Sequence, residues 1–227
     1  MSVIIEMVSD VVCPWCWLGL RRLKAALELV PHIQPEIYFR PYELDPNIPP
    51  EGVDYKAYMT AKFGGTGESS EDPERNRFRA MRDALEQYGR EEDIPYDFAG
   101  ITHRPNTFDA HRLIRWAQGQ GLGMEAKERL FRAYFTEHLD IGDHGVLTQL
   151  SGEIGLDPAI VAGLLAEDAD KDTVRQEEQI FLQMGVRGVP TYIANRRFAA
   201  QGAETAEKLA KFLTNVAEAG PPGVGQS

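Results

Sequence analysis

Cys13 and Cys16 are the only cysteines in this chain, and they form one Cys-x-x-Cys unit within Val11-Val12-Cys13-Pro14-Trp15-Cys16-Trp17-Leu18-Gly19. The run before them, Val3 to Val8, is short, apolar and β-branched, which reads as a buried strand. After them, Leu20, Leu23, Leu27 and Val30 recur at helical steps, with Arg21, Arg22 and Lys24 on the other face. Pro14 suits the first helical position, where its missing N–H would have no partner anyway, so Cys13 falls at or just before the N-cap. The orphan N–H groups and the positive end of the helix dipole stabilise an anion there. A thiolate at such a position is expected below the free cysteine value of about 8.5. Cys16 lies one turn further in and more buried, and is expected to stay a thiol until needed. An exposed nucleophile with a resolving partner is what thiol–disulfide exchange requires.

Two other uses of such a pair fit less well. Tetrahedral zinc wants four ligands, and the five histidines (His32, His103, His111, His138, His144) show no paired spacing beside the cysteines, so no metal site is expected. A purely structural disulfide across so small a loop would remove little chain entropy.

With 227 residues, the chain is expected to be one large domain or one domain carrying an insertion. A net charge of −11 argues against a nucleic-acid or anionic-membrane partner. No apolar run approaches the ~20 residues of a membrane span. Met1 leads almost directly into the first strand, with no basic region and apolar stretch before it, so the cytoplasm is the expected location.

Several elements must position the pair. Glu36 to Arg40 alternates and reads as a second strand. From about Pro46 to Asp170 the pattern is nearly all helix, with no convincing strand. Within it, a helix capped by Asp72 carries the stripe Phe78, Met81, Leu85 and Tyr88, read as core and ended by Gly89. Gly64 to Ser70 reads as a loop. Asn106 or Thr107 caps the next helix, and a further helix turns Leu130, Phe131, Tyr134 and Phe135 inward. Val174, Ile180 and Phe181 are candidate core positions before the strand signal returns at Val186 to Ala194. Asn195-Arg196 reads as a turn, and a last amphipathic helix spans Thr205 to Ala217. The expected division is 1–45 plus 171–219 as one discontinuous domain, 46–170 as a helical insertion, and 220–227 as a disordered tail.

Three motifs carry a family resemblance: Ser9-Asp10-Val11-Val12-Cys13-Pro14-Trp15-Cys16, Pro105-Asn106-Thr107 with Ala110-His111-Arg112-Leu113, and Gly185-Val186-Arg187-Gly188-Val189-Pro190-Thr191. With them the chain resembles the DsbA-like thioredoxin-fold family. Within it, the chain resembles the FrnE-like branch, akin to 2-hydroxychromene-2-carboxylate isomerases and kappa-class glutathione transferases. The resemblance implies an α/β thioredoxin fold with a large all-helical insertion. It implies a cis peptide before Pro190 that presents the Val189 backbone beside Cys13, with Pro14, Trp15, Val189 and Pro190 as substrate-binding residues. In the isomerase and transferase relatives a serine stands at the nucleophile's position, where it helps hold a glutathione thiolate; here Cys13 stands there, which favours dithiol chemistry at Cys13 and Cys16.

Glu6 is a candidate for the buried acid that assists the inner thiol, with a solvent-facing glutamate as the alternative. Trp15 and Trp17 flank the site, Trp17 more as core. Asn106 and His111 are candidates for the cleft, and equally a cap and a surface histidine. The expected activity is thiol–disulfide exchange. The alternative is glutathione-dependent isomerisation or transfer on a small aromatic compound. No resident cofactor is expected beyond glutathione as a co-substrate. The expected partners are protein, peptide or glutathione thiols and disulfides, and a homodimer is compatible with all of this.

Overall fold

The computed structural model describes residues 3–63 and 73–220. The chain opens with β1 (Ile4–Ser9), α1 (Pro14–Leu29) and β2 (Glu36–Pro41). Next come β3 (Val53–Asp54), α2 (Tyr55–Phe63), α3 (Pro73–Glu91) and β4 (His103–Arg104). Five helices follow: α4 (Phe108–Gly119), α5 (Gly123–Phe135), α6 (His144–Glu153), α7 (Pro158–Ala166) and α8 (Lys171–Gln183). The hairpin β5 (Thr191–Ala194) and β6 (Phe198–Gln201) and the helix α9 (Ala206–Ala219) complete the described chain. The expected loop Gly64 to Ser70, the cap Asp72 and nearly all of the expected tail lie outside the described residues.

The main sheet has the order β2-β1-β5-β6, with β1 parallel to β2 and antiparallel to β5. Joining two parallel neighbours demands a crossover, and α1 is that crossover. Alternation along β1 divides the molecule into two faces. Ile5 and Met7, with Tyr192 and Ala194 of β5, pack into the large core that contains α1 and α9. Val8 and Ile193 point the other way and pack on Phe181 of α8. Asn195 and Arg196 both take positive φ (51° and 55°), the geometry of a two-residue hairpin turn, as the sequence suggests.

Four expectations need correction. The middle of the chain holds a two-residue antiparallel ladder, Val53–Arg104 and Asp54–His103, too short to leave a period-2 signal. Gly89 lies inside α3 and does not end it. A Cβ there would meet the Ile94 carbonyl at 2.7 Å and the Tyr96 ring at 2.8 Å, so the glycine admits the returning chain. Ile180 is 52% exposed, on the outer face of α8, while Val174 and Phe181 are buried. The final strand begins only at Thr191, because residues 186–190 form the approach to the cis proline.

Candidate active site

Cys13 is the N-cap of α1, in extended conformation (φ −96°, ψ 110°), with Pro14 at the first helical position. Its main-chain carbonyl accepts from the Cys16 N–H at 3.0 Å, so the first turn closes directly on the pair. Tyr96 steadies that turn by donating its hydroxyl to the Pro14 carbonyl at 2.7 Å. The Val189–Pro190 peptide is cis, as the resemblance implies, and Cys13 Sγ stands 3.9 Å from the Val189 carbonyl oxygen. Gly19 lets α1 come this close, since a Cβ there would lie 2.8 Å from Pro190 Cγ.

Cys13 is only 4% exposed, so the expectation of an exposed nucleophile is wrong in one respect: Cys13 opens into a cavity and not onto the surface. That cavity measures about 320 Å³. Its floor is Cys13, Pro14, Trp15 and Val189. One wall is Tyr55, Tyr58 and Met59 of α2, and another is Phe78, Met81 and Leu85 of α3. Of the α3 stripe, Leu85 is fully buried and Met81 and Tyr88 are half-buried against the core, as expected, but Phe78, Met81 and Leu85 also line the cavity; the Tyr88 ring edge meets Trp15, 6.3 Å between centroids. Trp17 sits apart from the cavity, stacked on Phe131 and Phe135 at 5.8 Å each.

Cys16 is fully buried. Burial pushes its thiol well above the ordinary range, and the hydrogen bond with Cys13 adds to this. Lys127 works in the other direction. This lysine of α5 is itself 0% exposed, and burial pulls it down to about 8, against the charges of Cys16, Asp10 and Cys13 that favour its ammonium form. Its Nζ lies 3.4 Å from the Ser9 carbonyl oxygen and 5.3 Å from the centre of the Phe131 ring.

Asp10, Arg104 and His111 complete a buried polar layer against the dithiol. Asp10 accepts the Leu44 N–H at 2.8 Å and stands 3.5 Å from His111 Nε2, an electrostatic contact more than a well-formed hydrogen bond. Burial raises the Asp10 carboxyl, but His111, Arg104 and the Leu44 N–H outweigh it and hold the group below its ordinary range.

Glu6 does not belong to this layer. Its carboxylate is held by Arg40 at 2.7 Å, and it points to the α8 side of β1, away from α1. Strand parity excludes it, since Ile5 and Met7 occupy the cysteine face. Asn106 bridges instead of binding: its Oδ1 accepts the Phe108 N–H at 2.9 Å and its amide donates to the Ile48 carbonyl at 2.6 Å. Lys127 was missed, although it stands on the inward stripe of α5 with Leu130, Phe131 and Tyr134; a lysine in an apolar stripe was the available signal. Among the described residues, no cluster of His, Cys, Asp and Glu converges to hold a metal. Nor is any helix long and apolar enough to cross a membrane.

The family model for the DSBA-like thioredoxin domain matches residues 4–214. The chain belongs to this family. A probable DsbA oxidoreductase from Streptomyces coelicolor is 29% identical, with a TM-score of 0.86 over 99% of this chain and 94% of that one. The uncharacterized protein YwbO of Bacillus subtilis is 27% identical over 199 residues, 85% of this chain and 87% of its own. The DsbA-like fold is shared more distantly by two enzymes. One is a 2-hydroxychromene-2-carboxylate isomerase (16% identity, 95% and 97% of the chains, TM-score 0.68). The other is the cytosolic disulfide reductase DsbM from Pseudomonas aeruginosa, solved with glutathione (18%, 95% and 99%, TM-score 0.62). The DsbA-like architecture is thus shared by oxidoreductase and isomerase neighbours.

Proposed function

We propose that this DsbA-like protein is a thiol–disulfide oxidoreductase in which Cys13 carries the mixed disulfide and Cys16 resolves it. The observation that carries the reading is the asymmetry of the pair. Cys13 caps a helix and faces a cavity, while Cys16 lies one turn behind it, sealed from solvent and held as a thiol by burial. The Cys13 thiolate attacks a substrate disulfide and displaces one thiolate. Cys16 then passes its proton to Lys127, attacks Cys13 Sγ and releases the second thiolate, leaving the protein disulfide. Lys127 suits this role because its amine is buried, feels the charge of Cys16 and is pulled down to about 8. A thiol reductant returns the pair to the dithiol state. The DsbM neighbour solved with glutathione makes glutathione the first compound to test.

The deciding experiment equilibrates the protein with glutathione redox buffers and reads the adduct by mass. Cys16→Ser should accumulate glutathione on Cys13, and Cys13→Ser should abolish exchange. Wild-type exchange in Cys13→Ser would end the proposal. The apolar cavity beside Cys13 also favours a second reading, glutathione-dependent isomerisation or transfer on a small aromatic compound. It expects Cys16→Ala to turn over such a compound undiminished.

A further inference from the structure

Arg104 is an unusual wall for an apolar cavity. It is 6% exposed and lines the cavity that holds Cys13. Its guanidinium lies 5.0 Å from the centre of the Tyr58 ring and donates weakly to the Val12 carbonyl at 3.4 Å. Its Nε makes no well-formed hydrogen bond among the described residues; the hydroxyl of Tyr134, another residue of this cavity wall, is buried against the guanidinium and has no other partner among them. A buried guanidinium with one weak carbonyl contact and a hydroxyl neighbour keeps donor capacity that a bound acceptor would satisfy.

Charge points the same way. The chain carries a net charge of −11, yet among the described residues no Asp or Glu lines this cavity, while Arg104, Arg82 and Lys62 do. Arg82 is paired with Glu86 at 3.0 Å and Lys62 with Asp45 at 3.4 Å, whereas Arg104 makes no ion pair within 4 Å among the described residues and feels Asp10 only at longer range. The volume, about 320 Å³, lies in the small-molecule range of roughly 300–1,000 Å³ and is far too small for a folded partner.

We propose that this cavity is a specificity pocket for a small aromatic disulfide bearing a carboxylate. The carboxylate would sit against Arg104 and Tyr134, the ring among Tyr55, Tyr58 and Phe98, and the disulfide over Cys13. This rests on the dithiol reading and names its substrate class. A planar carboxylate matches the guanidinium edge, and Tyr134 supplies a second donor. In the reaction, Cys13 Sγ bonds one aryl sulfur, the aryl S–S bond breaks and an arylthiolate leaves. Cys16 gives up its proton to Lys127, bonds Cys13 Sγ and expels the second arylthiolate. The substrate gains two electrons, the protein pair loses two, and a thiol such as glutathione restores the dithiol.

The test compares 5,5′-dithiobis(2-nitrobenzoate) with uncharged 4,4′-dithiodipyridine as oxidants of the reduced protein, and measures 2-naphthoate and 2-naphthylmethanol binding by calorimetry. Arg104→Gln should lower the ratio of the two oxidation rates roughly 10- to 100-fold, the worth of a charged hydrogen-bonded contact. Tyr134→Phe, which keeps the ring, should lower it less but in the same direction. Naphthoate should bind the wild type more tightly than the alcohol and lose that advantage in both variants. An unchanged rate ratio in a folded Tyr134→Phe protein, or equal binding of naphthoate and alcohol by wild type, overturns the pocket assignment. If neither oxidant converts the wild-type pair to a disulfide, the exchange reading fails instead, and the binding measurement, which needs no exchange, still decides the pocket.

Discussion

Lys127 places an ammonium group at a fully buried position, and replacing it by methionine should reveal the cost directly. The folded protein holds this lysine at about 8, whereas an unfolded chain holds it at about 10.4. Between those values the unfolded state binds more protons at this position than the folded state does, so stability rises with pH there. Below pH ~8 the lysine withholds ~3 kcal/mol from the fold, and that amount returns as pH climbs toward ~10.4. Lys127→Met removes the ionisation while keeping most of the volume. It forfeits the Ser9 carbonyl contact at 3.4 Å and the charge over the Phe131 ring. Burying an apolar isostere in place of an ion is commonly neutral or stabilising.

The assay is guanidinium unfolding of the reduced protein at several values from pH 6.5 to 9.5, wild type against Lys127→Met. Cys16 opposes the lysine, because its raised folded value makes it lose stability at alkaline pH; without Lys127, which lowers that thiol, the variant loses at least as much there, so the sign of the difference stands. Wild type should therefore gain on the variant by ~2 kcal/mol between pH 7 and 9.5, and the variant should be at least as stable at pH 7. The same substitution should slow release of substrate from the mixed disulfide by ~100-fold, the scale of a lost general base, and leave formation of the adduct at Cys13 nearly untouched. A stability difference that does not vary with pH would refute the assignment of a depressed lysine, and unslowed resolution would remove its role as proton acceptor.

Other perturbations test the scaffold around the pair. Gly19→Ala places a methyl against the Tyr192 hydroxyl and 2.8 Å from Pro190 Cγ, so thermal unfolding should show a loss of ~1–3 kcal/mol. Arg112, wholly buried, donates to the carbonyls of Ala169, Leu164 and Glu167 and to Asp109. Arg112→Lys cannot reproduce that fork and should cost ~3 kcal/mol or more in denaturant melts. Glu43 is pushed up to about 8 by burial, with Glu178 adding to it, so the stability it contributes is complete below pH ~4.3 and drains away as pH rises to about 8. Glu43→Gln should flatten that decline in pH-dependent melting.

How much of this was legible in the sequence follows from the range of each signal. The placement of Cys13 at the start of α1 and of Cys16 one turn inside it was legible because strand, proline and apolar stripe all lie within twenty residues. The Asn195-Arg196 hairpin was legible for the same reason. Phe78 and Met81 show the opposite limit: periodicity reveals that a helix has an apolar face and says nothing about whether protein or a cavity covers it. Glu6 was misplaced because its neighbour on the inward face depends on strand parity, which shifts with a single residue of register. Arg104, Lys127 and Tyr134 reach the dithiol or its cavity from 88 or more positions beyond Cys16, and only the packing of α5 on α1 and the contact of Arg104 with the Val12 carbonyl bring them there.

That separation divides the chemistry between two parts of the chain. The proposed redox pair, Cys13 and Cys16, and the Val189 carbonyl beside it come from the elements around the main sheet. The buried cations Arg104 and Lys127 and the aromatic wall of the cavity come from β4, α5, α2 and α3. Electrostatics in a cavity this apolar depend steeply on distance and burial. A change confined to the helices can therefore alter which disulfide reaches Cys13 and how fast Cys16 lets it go, with every atom of the Cys-Pro-Trp-Cys turn left in place. Substitutions at Tyr58 or Phe98 should for that reason shift the preference among aromatic disulfides while the equilibrium of the pair against glutathione stays where it is. A parallel shift in that equilibrium would mean that the two parts are coupled through the position of α1 itself.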